Sequence, residues 1–271
     1  ARRPCGGRHD VPLTGRAASA SPAGTVVAMA LSLTVLGCSG TYAAPRGACS
    51  GYLVRSATTS VLLDCGPGTL ANLQEHVALR DLDAVVFTHE HPDHWLELPV
   101  MRNALKYGVG RTGVPLVTTA GTLGLGQPFG LAGTFMLQTV ADGDSVGLGD
   151  LSFRFCRTDH PVETLAVRVD GEGRSLGYSA DTGPGWSCAA LDDGTGLDLL
   201  VAEATFRHGD GNDPVHLTAR QAGEQARAAR ARRLVVTHLT PGSDPVGAVA
   251  EAAEAYGAPV EAAQVHRTYA V

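Results

Sequence analysis

The chain has no CxxC pair: its six cysteines (Cys5, Cys38, Cys49, Cys65, Cys156, Cys188) are scattered over 271 residues. In a chain this long such scatter does not read as a disulfide framework, and a reducing, cytoplasmic setting is the expectation. A basic arm or run is also missing. The formal net charge is −6 and the pI about 5.9, whereas proteins that capture long nucleic acids by counterion release carry a basic face. No stable nucleic-acid complex is therefore expected, and Arg227, Arg230, Arg232 and Arg233 read as a solvated helix face. No apolar stretch approaches the ~20 residues that span a bilayer, so no membrane partner is expected. Solenoid-type repeats are absent too.

What remains is the composition of an ordinary globular chain, 44% hydrophobic and 18% charged, which argues against disorder outside the N-terminus. Folding at this length buries roughly 75% of the unfolded surface, within one sheet or two halves around a shared core.

Residues 1–28 are rich in Arg, Gly, Ala, Ser and Pro without apolar periodicity. They read as a disordered extension or a start-site artefact ahead of one domain at 29–271, with Met29 as the candidate start. The run from Val26 to Cys38 has two readings. Arginines, a short apolar run and Leu36-Gly-Cys38 outline a lipoprotein signal. The run is also short, rich in β-formers and followed directly by another strand pattern, which favours a first core strand at 31–36.

Further strands are suggested at 51–55, 60–64, 83–88, 114–118, 134–139, 151–157, 163–169, 174–179, 197–202 and 233–238. Helices are suggested at 67–78, 95–107, 120–130, 218–231 and 245–257. Paired strand runs predict mixed sheets. Thr218 is a natural helix cap. Gly-rich stretches at 121–133 and 205–213 read as loops, the first overlapping the helix suggested at 120–130.

The strongest local signal is Thr88-His-Glu-His-Pro-Asp-His94, after the buried-strand pattern Leu82-Asp-Ala-Val-Val-Phe87. Strand ends in α/β proteins carry sites. Three imidazoles and a carboxylate this close cannot all reach one ion, so the spacing suits two: His89 and His91 on one side, Asp93 and His94 on the other. Such ligands suit Zn²⁺, Mn²⁺ or Fe. A polar surface turn with chance histidines is the bland alternative.

This His-x-His-x-Asp-His pattern resembles the metallo-β-lactamase superfamily, which implies an αββα sandwich of two mixed β-sheets flanked by helices. The resemblance covers about residues 30–265. It implies that His160 in Thr158-Asp-His-Pro161 closes the first metal site. Asp181 in Tyr178-Ser-Ala-Asp-Thr-Gly183 would bridge two divalent ions, and His238 in Leu234-Val-Val-Thr-His-Leu-Thr-Pro241 would complete the second site. Zinc is the first expectation, with Mn and Fe open.

Two fragments resemble the ribonuclease Z-like branch: Leu200-Val-Ala-Glu-Ala-Thr-Phe206 and His216-Leu-Thr-Ala-Arg-Gln-Ala222. The likeness implies that His216 contacts the scissile phosphate and Glu203 helps orient it. By residue chemistry alone, His216 ahead of a helix N-terminus suits an anion, yet reads equally as a surface capping residue. Glu203 reads equally as a buried partner for a backbone group or an arginine. His9, His76, His208 and His266 match nothing in the pattern.

Ribonuclease Z proteins that process tRNA insert a long arm between the third histidine and the bridging aspartate. Here only residues 161–180 intervene, largely a hairpin around Asp170-Gly-Glu-Gly173. The better resemblance is to actinobacterial-type cyclic nucleotide phosphodiesterases, shared also by Leu33-Thr-Val-Leu-Gly-Cys-Ser-Gly40 and Ser50-Gly-Tyr-Leu53. Trp95 stands where many relatives carry a smaller residue, which leaves the pocket shape open. The expectation is hydrolysis of a small phosphodiester by a water that two cations activate, with Asp93 ligating and orienting it. Alternatives are a nuclease acting on RNA 3′ ends, a lactamase or thioesterase, and a secreted metal-binding lipoprotein. The resemblance also leaves a homodimer open.

Overall fold

Two seven-stranded sheets face each other in a computed structural model that describes residues 31–209 and 215–271. The first sheet contains β1 (Ser32–Gly37), β2 (Gly51–Arg55), β3 (Ser60–Cys65), β4 (Ala84–Val86), β5 (Val114–Thr118) and β6 (Phe135–Thr139). The second contains β7 (Ser145–Leu148), β8 (Leu151–Arg157), β9 (Leu165–Gly171), β10 (Arg174–Tyr178), β11 (Leu199–Glu203), β12 (Leu234–Thr237) and β13 (Val260–Ala262). The last strand, β14 (Thr268–Ala270), returns to the first sheet beside β1. Both sheets are mixed: β1–β2 and β2–β3 are antiparallel, whereas β3–β4–β5–β6 run parallel. In the second sheet β7–β8–β9–β10 alternate and β10–β11–β12–β13 run parallel.

The inner faces meet in one apolar layer that includes Leu33, Val35, Leu63, Phe153, Phe155, Val167 and Val201. On the outer face of the first sheet, α1 (Thr69–Leu73) and α3 (Leu98–Asn103) bury Leu70, Leu73, Leu98 and Met101. On the second sheet, α5 (Ala219–Ala228) and α6 (Pro245–Tyr256) bury mainly alanines. Small residues let these helices approach: a Cβ on Gly223 would lie 2.3 Å from the Ala252 carbonyl oxygen. The αββα arrangement expected from the sequence is what forms.

Several boundaries differ for identifiable reasons. The suggested helix at 95–107 is α3 continued by a π-helical turn (Ala104–Gly108), with the short α2 (Pro92–Trp95) set off ahead of it, because Pro92 and Pro99 each start a new first turn. That at 67–78 is only Thr69–Leu73. The Gly-rich 121–133 stretch is half helical, since α4 (Ala120–Gly126) runs into a 3₁₀ turn that ends at left-handed Gly130. Three short edge strands, β7, β13 and β14, were not expected; each has three or four residues, too few for a period-two pattern to stand out.

The run at 32–37 is a wholly buried strand paired on both sides, by β2 and β14, and so an integral part of the fold. The extension expected at 1–28, Cys5 and His9 lie outside the described residues, as does part of the loop expected at 205–213. The five described cysteines are free thiols, and no helix among the described residues is long and apolar enough to cross a membrane.

Candidate metal centre

The strands β3, β8, β10, β11 and β12 and the segment after β4 all end at one edge of the sandwich, and the polar residues collect there. Asp64 is the next-to-last residue of β3. His89, His91, Asp93 and His94 follow β4, His160 follows β8, Asp181 follows β10, Glu203 ends β11 and His238 follows β12. Three of these turns are held in the left-handed region at non-glycine residues, Asp64 (φ 59°), Ala180 (φ 50°) and His238 (φ 59°). Such backbone strain, about 1–3 kcal/mol each, persists only where surrounding structure enforces it and collects at functional sites.

Hydrogen bonds fix how each imidazole faces the centre. Thr88 Oγ1 donates to Asp64, so it accepts from His89 Nδ1 at 3.0 Å. His94 Nδ1 donates to Asp64 Oδ2 at 2.8 Å, and His160 Nδ1 donates to the Val215 carbonyl at 3.0 Å. Thr205 Oγ1 donates to Glu203 Oε2 at 2.7 Å, so it accepts from His238 Nδ1 at 2.8 Å. With Nδ1 occupied as donor in all four rings, each presents its Nε2 lone pair to the same space.

Those lone pairs crowd one another. His160 Nε2 lies 3.0 Å from His91 Nδ1, and His94 Nε2 lies 3.3 Å from His238 Nε2. Ligand atoms at about 2.0–2.1 Å from a tetrahedral cation stand roughly 3.3 Å apart. Asp181 spans the two groups. Its Oδ2 is 3.6 Å from His89 Nε2 and 3.9 Å from His160 Nε2, while its Oδ1 is 3.2 Å from His94 Nε2 and 3.4 Å from His238 Nε2. His89 Nε2 and Asp181 Oδ1 are nevertheless buried without a hydrogen-bond partner among the described residues. Buried polar atoms are almost always satisfied, so two orphans aimed at one space mark a place for a cation.

The donors fall into overlapping sets, His89–His91–His160–Asp181, Asp93–His94–His238 and Asp181–His216–His238, with the ligand atoms of each set within 4.8 Å of one another. These clusters can hold divalent metal ions. Burial pushes His89 well below its usual range and lowers His91 and His160, keeping them neutral with lone pairs available. Burial would also lower His94, but the carboxylates of Asp181 and Asp64 outweigh it and push it well above its usual range. Burial would raise Asp93 and Asp181, yet the surrounding histidines hold both well below the carboxylate range.

Asp93 Oδ2 accepts from the Thr41 amide at 2.7 Å and lies 3.2 Å from His238 Nε2. Beneath it a Cβ on Gly66 would stand 1.9 Å from the Asp93 carbonyl oxygen. Gly66→Ala is therefore expected to destabilise the fold by about 1–3 kcal/mol, the usual cost of overpacking, and to weaken metal retention, as denaturant titration and elemental analysis would show.

Both residues singled out for phosphate contact are at the centre. His216 Nδ1 pairs with Glu203 Oε1 at 3.0 Å, and its ring lies 5.3 Å from those of His160 and His238. Glu203, 1% exposed, also accepts from the Thr182 amide at 2.6 Å and the Leu217 amide at 3.2 Å. It thus braces Asp181's neighbour, His216 and, through Thr205, His238. Trp95 is turned away from the centre: its indole donates to the Glu90 carbonyl at 2.8 Å and its ring joins the core under α3. Its bulk therefore does not shape the site. His76 and His266 pair with each other, and His208 lies exposed, all outside the metal-binding clusters.

A profile described as "Beta-lactamase superfamily domain" matches residues 59–239, most of the chain and nearly all of this centre. The chain belongs to the beta-lactamase superfamily. It is a metallo-hydrolase of that superfamily, with relatives in the ribonuclease Z-like branch. An uncharacterized protein of Mycobacterium tuberculosis is 34% identical across 92% of this chain and 94% of its own. The probable metallo-hydrolase YhfI of Bacillus subtilis is 30% identical over 77% of this chain and 87% of its own. The YhfI crystal structure superposes with a TM-score of 0.81, covering 88% of this chain and 98% of that one. A ribonuclease Z of Myxococcus xanthus is 26% identical over 86% of this chain and 95% of its own.

Sequence reasoning missed Asp64, Thr205 and the Thr41 amide. Asp64 alone left a trace, a carboxylate closing the apolar run Val61-Leu-Leu-Asp64.

Proposed function

We propose that the chain is a dinuclear metal-dependent phosphodiesterase for small phosphodiesters, cyclic nucleotides in the first instance. His89, His91, His160 and Asp181 would hold one ion, and Asp93, His94, His238 and Asp181 the other, with zinc the metal of choice for this donor set. Bound there, the ions supply a water of lowered pKa and positive charge facing the phosphoryl oxygens.

The chain's own residues do the rest. Asp181 directs one oxygen to each group, which keeps the two positions adjacent. Asp93, held by the Thr41 amide, keeps an acceptor beside the second group and orients the attacking water. Glu203 accepts Nδ1–H of His216, which leaves Nε2 facing the centre and favours the imidazolium form, whose Nε2 proton can pass to the leaving oxygen. The capped N-terminus of α5 adds partial positive charge two residues beyond His216.

The observation that carries the reading is the His216–Glu203 pair standing beside the two metal-binding groups, in the place where the ribonuclease Z-like resemblance puts a phosphate-contacting histidine and the glutamate that orients it. The names of the ribonuclease Z relatives support phosphodiester chemistry. Residues 161–180 support a small substrate. They form β9 and β10 joined through Glu172 and Gly173, both with positive φ, so the segment has no excursion with which to grip a folded RNA.

Metal-reconstituted protein should hydrolyse 3′,5′- or 2′,3′-cyclic nucleotides and a generic aryl phosphodiester, and leave pre-tRNA uncut. Activity on pre-tRNA alone would overturn the substrate choice.

A further inference from the structure

Two fully buried tyrosines lie directly behind the second metal-binding group, and each reaches across to the sheet it does not belong to. Tyr52, on β2 of the first sheet, bonds Thr237 Oγ1 at 2.6 Å on β12 of the second. Thr237 immediately precedes His238. Tyr178, on β10 of the second sheet, donates to Asp64 Oδ2 at 3.2 Å on β3 of the first. That same oxygen receives His94 Nδ1. The rings are 4.9 Å apart at 58°, and the residues are 0% and 1% exposed.

His94 belongs to the first sheet's edge and His238 to the second's, so their 3.3 Å approach depends on how the sheets are spaced. We propose that Tyr52 and Tyr178 are positioning residues for the metal position at Asp93, His94 and His238, a role that rests on the dinuclear reading above. Each hydroxyl ties one histidine's support to the opposite sheet. Apolar packing between the sheets is dense but non-directional, whereas a pair of opposed hydrogen bonds also fixes direction. The first group depends on the pair less. His160 is held by the Val215 carbonyl, and Thr88, which supports His89 and whose hydroxyl also reaches Asp64 Oδ2, keeps two bonds to Asp64 Oδ1, from its amide at 2.9 Å and its hydroxyl at 3.1 Å.

The experiment is a zinc titration of chelator-stripped protein against a competing dye, resolving first and second equivalents, with Tm measured on the same samples. Variants are Tyr52→Phe, Tyr178→Phe and Thr237→Val, the last removing Tyr52's partner without touching a ring. Tyr269→Phe is the control, because it deletes a hydroxyl from another buried tyrosine, one that among the described residues bonds the Ala262 carbonyl, away from the centre. The three test variants are expected to bind the second equivalent at least about 10-fold more weakly, the usual effect of losing an outer support of a ligand, with the first equivalent unchanged. The control should match wild type at both. Unchanged second-equivalent affinity in all three test variants overturns the proposal, as does equal weakening in Tyr269→Phe. Wild-type protein that takes up two equivalents isolates that failure to the tyrosines; wild-type protein that takes up none overturns the dinuclear reading and this proposal together.

Discussion

Replacing His216 with alanine is expected to lower turnover by about 10²–10⁴-fold, the range for loss of a positioned general acid, while two metal equivalents remain bound. Retention of metal is the discriminating part. His216 also falls within a third set of donors with Asp181 and His238, and if it were a ligand its loss would cost an ion. The geometry argues otherwise, because His94 and Asp93 already complete His238's group and Glu203 holds Nδ1 of the His216 ring. Steady-state kinetics on an aryl phosphodiester with elemental analysis of the same preparation separates the cases. Unchanged turnover would remove His216 from the mechanism, and loss of one metal equivalent would make it a ligand.

Asp181→Asn is expected to have the larger effect, on the order of 10³-fold or more in turnover, together with loss of at least one metal equivalent. The charge stabilisation that a bound cation gives a transition state is worth several kcal/mol, and each ~1.4 kcal/mol is tenfold. The substitution is nearly isosteric, so the fold should persist. One carboxylate oxygen, however, becomes an amide nitrogen that donates where a lone pair is needed. Since Oδ1 faces His94 and His238 and Oδ2 faces His89 and His160, either amide orientation disables one group. A variant with full metal content and wild-type turnover would show that Asp181 does not join the two positions.

The fold class and all seven proposed ligands were legible in the sequence for a simple reason. Ligands at strand ends leave local traces: an apolar run, then His or Asp in a tight turn. His89, His91, Asp93 and His94 carry that trace within one turn. His160, Asp181 and His238 each do so weakly, and it was their resemblance to the metallo-β-lactamase pattern, in that pattern's order, that picked them out. The supports of those ligands were not legible. Tyr178 and Asp64 are 114 residues apart, and Tyr52 and Thr237 are 185 apart, so their roles arise only when the two sheets close. A buried tyrosine in an apolar strand looks like any other core aromatic until its hydroxyl has a partner. Trp95 failed in the opposite direction: its place in the motif pointed to the pocket, but its indole found a backbone acceptor and turned into the core.

Metal content bears most directly on the centre. Protein stripped with a chelator, reconstituted with excess zinc and freed of unbound ion should contain two equivalents per chain by elemental analysis, against one or none for Asp181→Asn in parallel. Wild-type protein that retains no metal under conditions where its fold is intact would contradict the assignment of these seven side chains as a dinuclear site.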